Sequence, residues 1–261
     1  MSEAADHCHD LVRNGAKDRY LASLFAPGDK RPQLLALYAF DLEISRIHTL
    51  VSDPQIGLIR QQWWLDSIDA IYAGSPVAHP VAEELARAVA AGNLPKPALR
   101  NLIIAREFDL YDDPMPELAD LEGYLGETSS SVIQLASLIL AGPNAVHSAE
   151  AAGLAGVAHG LAGLLRAIVQ GHPAARHFLP RDLVTAQGEK GAIAALAGQA
   201  RTRLAQARAL TATIPPAALP VFLPVSLTGL YLDRLKRGGV GAPSQIRRQM
   251  ALWWAARNDR F

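Results

Sequence analysis

The feature that most constrains this chain is the spacing of its apolar residues. They recur at three- and four-residue intervals, with no sustained alternation of the kind a half-buried strand needs. The segments RPQLLALYAFDLEISRIHTL, IGLIRQQWWLDSIDAIYAG and PVAEELARAVAAGN follow this rule and are separated by SDP, GSPVAHP and GNLPKP. Such Pro- and Gly-bearing stretches stop and restart helices. PALRNLIIAREFDLYDDP, ADLEGYLGETSSSVIQLASLILAGP and the Ala/Gly-dense EAAGLAGVAHGLAGLLRAIVQG continue the pattern. A polar loop, HPAARHFLPRDLVTAQGEKG, is expected next, before GAIAALAGQARTRLAQARALTATI, PPAALPVFLPVSLTGLYLDRL and ALWWAARNDRF resume as helices. No repeat or low-complexity linker breaks the series. The prediction is an all-α chain of about eight or more helices, forming a single domain over 1–261.

Composition narrows the classes of function. Half the residues are hydrophobic and 19% are charged, which suits a heavily buried fold. Lys plus Arg and Asp plus Glu both number 25, so no global field invites nucleic acid. Cys8 is the only cysteine, which excludes internal disulfides and fits a reducing compartment. The acidic MSEAADHCHD has neither a signal nor a transit pattern, and no uninterrupted apolar run has spanning length. These features lead us to expect a cytoplasmic chain, with peripheral membrane contact left open.

Several clusters invite chemical readings. His7, Cys8 and His9 are metal-ligand types, but consecutive helical residues diverge, so a solvated terminus is the expectation. Asp109, Asp112 and Asp113, and separately Asp66 and Asp69, stand at helical spacings that could hold Mg²⁺ against a diphosphate. Acid pairs of this kind more often serve solubility or ion pairing. No GxGxxG, P-loop, HExxH or GxSxG pattern is present. In each of the pairs Trp63-Trp64 and Trp253-Trp254, one ring is expected to pack and its neighbour to lie at the rim. Arg247, Arg248, Trp253, Trp254 and Arg257 form a basic-aromatic segment suited to an interface. Docking of that segment on the core is the expected arrangement.

One resemblance rests on particular residues. DRYLASLFAPGDKRPQLLALYAF (18–40), the HPV of His79 to Val81, Tyr124, and LLRAIVQGHPAARHFLPRDL (164–183) resemble the squalene/phytoene synthase family. The resemblance implies an isoprenoid (terpenoid) synthase-type helical bundle around a deep, mostly apolar cavity. It also implies two carboxylate motifs on facing helices, each pair four residues apart, holding Mg²⁺ against substrate diphosphates. In that frame the first motif falls on Ser45 and Thr49 and the second on Ala167 and Gly171, with Arg166 retained. All four carboxylates are replaced. Catalytic residues are therefore not expected, and Tyr38, Asp41, Ser45, Arg46, His48, His159 and Arg166 remain as candidates to line the old pocket.

The segment IGLIRQQWW (56–64), beside the YAF frame, is similar to the complex I assembly factor 6 branch of that family. This similarity implies a pseudoenzyme that assists assembly of the respiratory NADH dehydrogenase, with complex I subunits or assembly proteins as partners, at the inner (cytoplasmic) membrane. No cofactor is expected on this reading. The rival is a divergent prenyl-diphosphate transferase that uses Mg²⁺ and recruits Asp41, Asp109 or Asp113. A third expectation is a cavity holding an isoprenoid or quinone lipid, motivated by the small residues between Ala151 and Ile168.

Overall fold

The computed structural model describes residues 2–239 and 243–261. Helices α1 (Glu3–Gly15), α2 (Lys17–Ser23) and α3 (Arg31–Arg46) open the chain, followed by α4 (Pro54–Tyr72), α5 (Pro80–Gly92) and α6 (Lys96–Ala105). Next come α7 (Leu118–Leu125), α8 (Ser131–Ala141), α9 (Ala149–Val169) and α10 (Arg181–Ala209). The short α11 (Leu219–Phe222), α12 (Thr228–Lys236) and α13 (Gln245–Arg257) complete the bundle, and the described residues contain no strand. The punctuation acts as the sequence implies. Pro54 and Pro80 begin their helices, and Asn93 ends α5 in the left-handed conformation at φ 47°.

Helix α3 forms the central rod. Every residue from Leu34 to Asp41 is buried, because α1, α5 and α8 cover it on different sides. Phe40 meets Trp64 of α4 edge to face, with ring centroids 5.2 Å apart. Trp63 stays 42% exposed where Trp64 is 4% exposed, so this first pair divides as expected. A second apolar cluster joins α7, α9 and α10, and a third, smaller one joins α2, α12 and α13.

Three expectations need correction. The N-terminus is not a solvated tail: it folds as α1 and buries Cys8 and Val12 against α3 and α5. His7, Cys8 and His9 do diverge, with His7 exposed and His9 bonded to Tyr20 and Asp10. The predicted polar loop at 172–191 instead holds a 3₁₀ turn, Pro173–Phe178, and the start of α10. That first stretch of α10 is mostly exposed, so it lacks an apolar stripe, and it bends at Gly188 (φ 71°). Finally, Leu118–Val169 and Pro216–Lys236 each contain a window long and apolar enough to cross a membrane by length and composition. Turns interrupt both stretches, and the windows are 44% and 56% buried within the bundle.

Burial of Cys8 has a chemical consequence. Desolvation, followed by the nearby charges of Glu84 and Glu43, pushes its thiol from 9.0 up to about 12. Since the thiolate is the nucleophile, roughly a thousandfold less of it is available than at an open cysteine. Alkylation by iodoacetamide at mildly alkaline pH is expected to be negligible in the folded protein and complete in denaturant. Rapid labelling of folded protein would contradict the packing of α1.

Candidate functional site

The two motif frames run off the ends of their helices. Helix α3 stops at Arg46, so Ser45 lies in its last turn while Thr49 belongs to the 3₁₀ turn Ile47–Thr49. Both hydroxyls are engaged by backbone, Ser45 Oγ donating to the Leu42 carbonyl at 3.1 Å and Thr49 Oγ1 to the Arg46 carbonyl at 2.8 Å. Helix α9 stops at Val169, leaving Gly171 beyond it, exposed and at φ 78°. Neither pair presents two oxygens on one helix face.

The nearest buried acid, Asp41, is held by the protein's own cations. Arg19 from α2 donates to one carboxylate oxygen, and Arg106, from the turn after α6, donates to the other at 3.1 Å. Arg106 also reaches Asp109 at 3.4 Å and the Tyr124 hydroxyl at 3.3 Å, while that hydroxyl donates to Asp109 at 2.6 Å. Burial alone would raise the Asp41 pKa, but the charges and hydrogen bonds of Arg19 and Arg106 outweigh it and hold the carboxyl below its ordinary value. Burial pushes the Tyr124 phenol far above its usual range, which keeps it a donor.

This donor set does not fit Mg²⁺. Both Asp41 oxygens and both Asp109 oxygens already accept hydrogen bonds, and a dication there would face two guanidinium groups. The other acids lie elsewhere. Asp112 and Asp113 are exposed, Asp66 accepts from Gln62, and Asp69 pairs with Lys96 and Arg100. Among the described residues no group of three His, Cys, Asp or Glu could hold a metal ion. Asp41 and Asp109 thus meet around one arginine rather than around a metal.

The interior beside Tyr38 is nearly closed. The space lined by Tyr38, Val132, Ile133, His159, Val221 and Val225 measures about 10 Å³, at the lower limit for one water. The small residues of α9 do not open it. A Cβ on Gly156 would land on the Ser130 backbone, and one on Gly160 would lie 2.6 Å from Leu125 Cδ2. Those glycines let α9 press against the π-helical turn Gly126–Ser130. The deep apolar cavity implied by the resemblance is filled at this point.

Across Arg19 and His159 lies a different, polar cavity of about 310 Å³. Lys17, Arg19, Arg166 and Arg248 supply four cations to its wall, with Asp18 as the one carboxylate. Asp18 accepts from the Tyr231 hydroxyl and from Arg248 at 2.8 Å, and Arg166 stacks over the Tyr231 ring at 4.5 Å. The His159 ring lies 3.3 Å from the Thr228 hydroxyl. Burial, then the charge of Arg19, pushes the imidazole from 6.5 down to about 4, so it is neutral near pH 7. The surplus of positive charge suits an anionic group.

Of the candidate lining residues, Tyr38, His159 and Arg166 border these spaces. Asp41 does not line them, because it is locked between arginines, and Ser45 is turned to its own backbone. Arg46 packs over Gly15 instead, and His48 sits in the 3₁₀ turn with Nδ1 buried and unpartnered. Asp18, Arg19 and Tyr231 were not singled out by sequence reasoning. The only signal was the DRY at 18–20, whose acid and arginine face two different networks.

The squalene/phytoene synthase family model matches residues 12–254. The chain is 34% identical over 245 residues to "NADH dehydrogenase (ubiquinone) complex I, assembly factor 6" of Bos taurus, covering 88% of this chain and 73% of that one. The Homo sapiens protein of the same description is 33% identical over 247 residues, covering 89% and 74%. Among solved structures, a dehydrosqualene synthase in complex with ligand superimposes with a TM-score of 0.83 at 17% identity, covering 98% of this chain and 96% of that one. The structural likeness establishes the all-α fold.

Proposed function

Because the chain belongs to the squalene/phytoene synthase family, within its complex I assembly factor 6 branch, we propose that it is a non-catalytic assembly or binding factor for a respiratory NADH dehydrogenase. The observation that carries this reading is the Arg19–Asp41–Arg106 clamp, together with the absence of acids at Ser45, Thr49, Ala167 and Gly171. Head-to-head prenyl transfer needs divalent cations to neutralise the departing diphosphate. Here guanidinium groups already satisfy the buried Asp41 beside the first frame, and the apolar space next to Tyr38 measures only about 10 Å³. Interaction with complex I subunits or their assembly proteins, with no resident metal, follows from this reading. Deleting the gene is expected to lower NADH dehydrogenase activity in membranes while leaving isoprenoid pools intact. Unchanged assembly and activity would overturn the proposal.

The cation-lined cavity favours a second reading, in which a phosphate-bearing isoprenoid is still bound or transformed. Incubation of pure protein with farnesyl or geranylgeranyl diphosphate and Mg²⁺ separates the two. Pyrophosphate release would establish a transferase, whereas its absence, with assembly lost in the deletion strain, supports the non-catalytic role. Mass spectrometry of co-purifying lipid tests retention of an isoprenoid or quinone without reaction.

A further inference from the structure

Helix α13 is built inside out for a helix that docks on a core. It meets the bundle through Leu252 and Ala255, both buried, while four other large apolar side chains point outward. Ile246 is 70% exposed, Met250 66%, Trp253 59% and Trp254 56%. Both rings of this second tryptophan pair face solvent, contrary to the expectation that one would pack. At about 100° per residue these four positions span an arc of about 100°, opposite the docked side. Phe25, also exposed, lines a separate groove at the docked edge of α13 with Ala255, Ala256, Asp259 and Arg260.

The charge around this arc is predominantly positive, with the exposed Asp259 beyond the end of α13 as the acid beside it. Helix α13 contains Arg247, Arg248 and Arg257 and no acid. From Thr228 to Phe261 the sequence carries seven Lys and Arg against two Asp, although the whole chain balances 25 against 25. One of those acids, Asp233, is paired with Arg201, and Arg248 turns inward to Asp18. Arg247 and Arg257 therefore remain exposed at the flank and end of the arc, and Lys236 and Arg237, which close α12, are exposed as well.

We propose that α13 lies in the headgroup region of an anionic bilayer, with Ile246, Met250, Trp253 and Trp254 inserted and Arg247 and Arg257 at phosphate level. Tryptophan rings belong at the boundary between hydrocarbon and water, and interfacial helices combine such rings with flanking basic residues. A second copy of the chain meeting this face symmetrically would set arginine against arginine. An acidic surface complements the charge. The inference does not depend on the assembly reading and can fail separately from it.

The test is co-sedimentation of the full-length protein with vesicles of phosphatidylcholine alone or mixed with phosphatidylglycerol. Binding is expected only to the mixed vesicles and to weaken in high salt, with a blue shift of tryptophan emission. W253S/W254S is expected to abolish both binding and blue shift. R247Q/R257Q is expected to lower partitioning about thirtyfold, equivalent to about 1 kcal/mol per arginine. All four positions are exposed, so circular dichroism and thermal midpoint should not move beyond small surface effects. Absence of binding to mixed vesicles, or binding that both variants retain, would overturn the proposal. A dimer that W253S/W254S dissolves, in protein that ignores vesicles, would assign this face to a second copy. Capture of an acidic protein without vesicle binding would assign it to that protein and overturn the membrane proposal.

Discussion

Asp41→Ala is expected to destabilise the fold by about 3–5 kcal/mol, the usual cost of removing one partner from a buried ion pair. The substitution strands Arg19 and Arg106, whose side chains are only 21% and 15% exposed. Urea denaturation followed by circular dichroism measures the loss. Arg19→Met in the same background should recover part of it, because one uncompensated charge is then gone. A loss below about 1 kcal/mol, with no coupling between the two sites, would show that the clamp is not a buried charge network.

Acid should reveal the same network. A carboxyl held below its ordinary 3.8 adds stability above that pH and loses it as pH falls through the folded value. Stability supplied by Asp41 should therefore drain away only below about pH 4. His159 acts in a separate window. Its folded value is depressed from 6.5 to about 4, so the unfolded chain binds the proton first and stability declines across that interval. His159→Gln should flatten the decline between those values without changing the more acidic step.

Gly156→Val is expected to cost about 3 kcal/mol or more, at the upper end for overpacking. The new Cβ would collide with the Ser130 backbone, which cannot swing aside as a flexible side chain would. Gly153→Ala, on the same helix, has nothing within 4 Å of its Cβ. It should raise stability by up to about 1 kcal/mol through helix propensity. Opposite signs at two glycines three residues apart would separate close approach from a general aversion to side chains along α9. Equal tolerance at both sites would contradict the packing against the π-helical turn.

The helices were readable because their evidence is local. An apolar residue every third or fourth position, with proline or glycine at the ends, locates α4, α5 and α9 without any tertiary information. The first part of α10 was not readable, because an exposed helix needs no stripe. For the site, the sequence offered mainly an expectation about what is lacking: the resemblance sets Ser45, Thr49, Ala167 and Gly171 where it implies carboxylates. Its positive features are tertiary. Asp41 meets Arg106 from 65 residues away, and no local pattern selects that arginine over any other. The closure beside Tyr38 depends on summed side-chain volumes from several helices. Gly156 was visible as a small residue, but Ser130 as its neighbour was not.

The contacts of Asp18 also order events during synthesis. Tyr231 and Arg248, its two partners, stand 213 and 230 residues further along the chain. A nascent chain can close α3 against α1 and α5 early, since those pairings form among the first hundred residues or so. Helix α2, however, has no ionic anchor for Asp18 until the ribosome has released Arg248. The wall of the polar cavity is thus among the last parts of the molecule to be finished, and a chain stalled before α13 would hold an assembled bundle with Asp18 unpaired from both partners or from the later one.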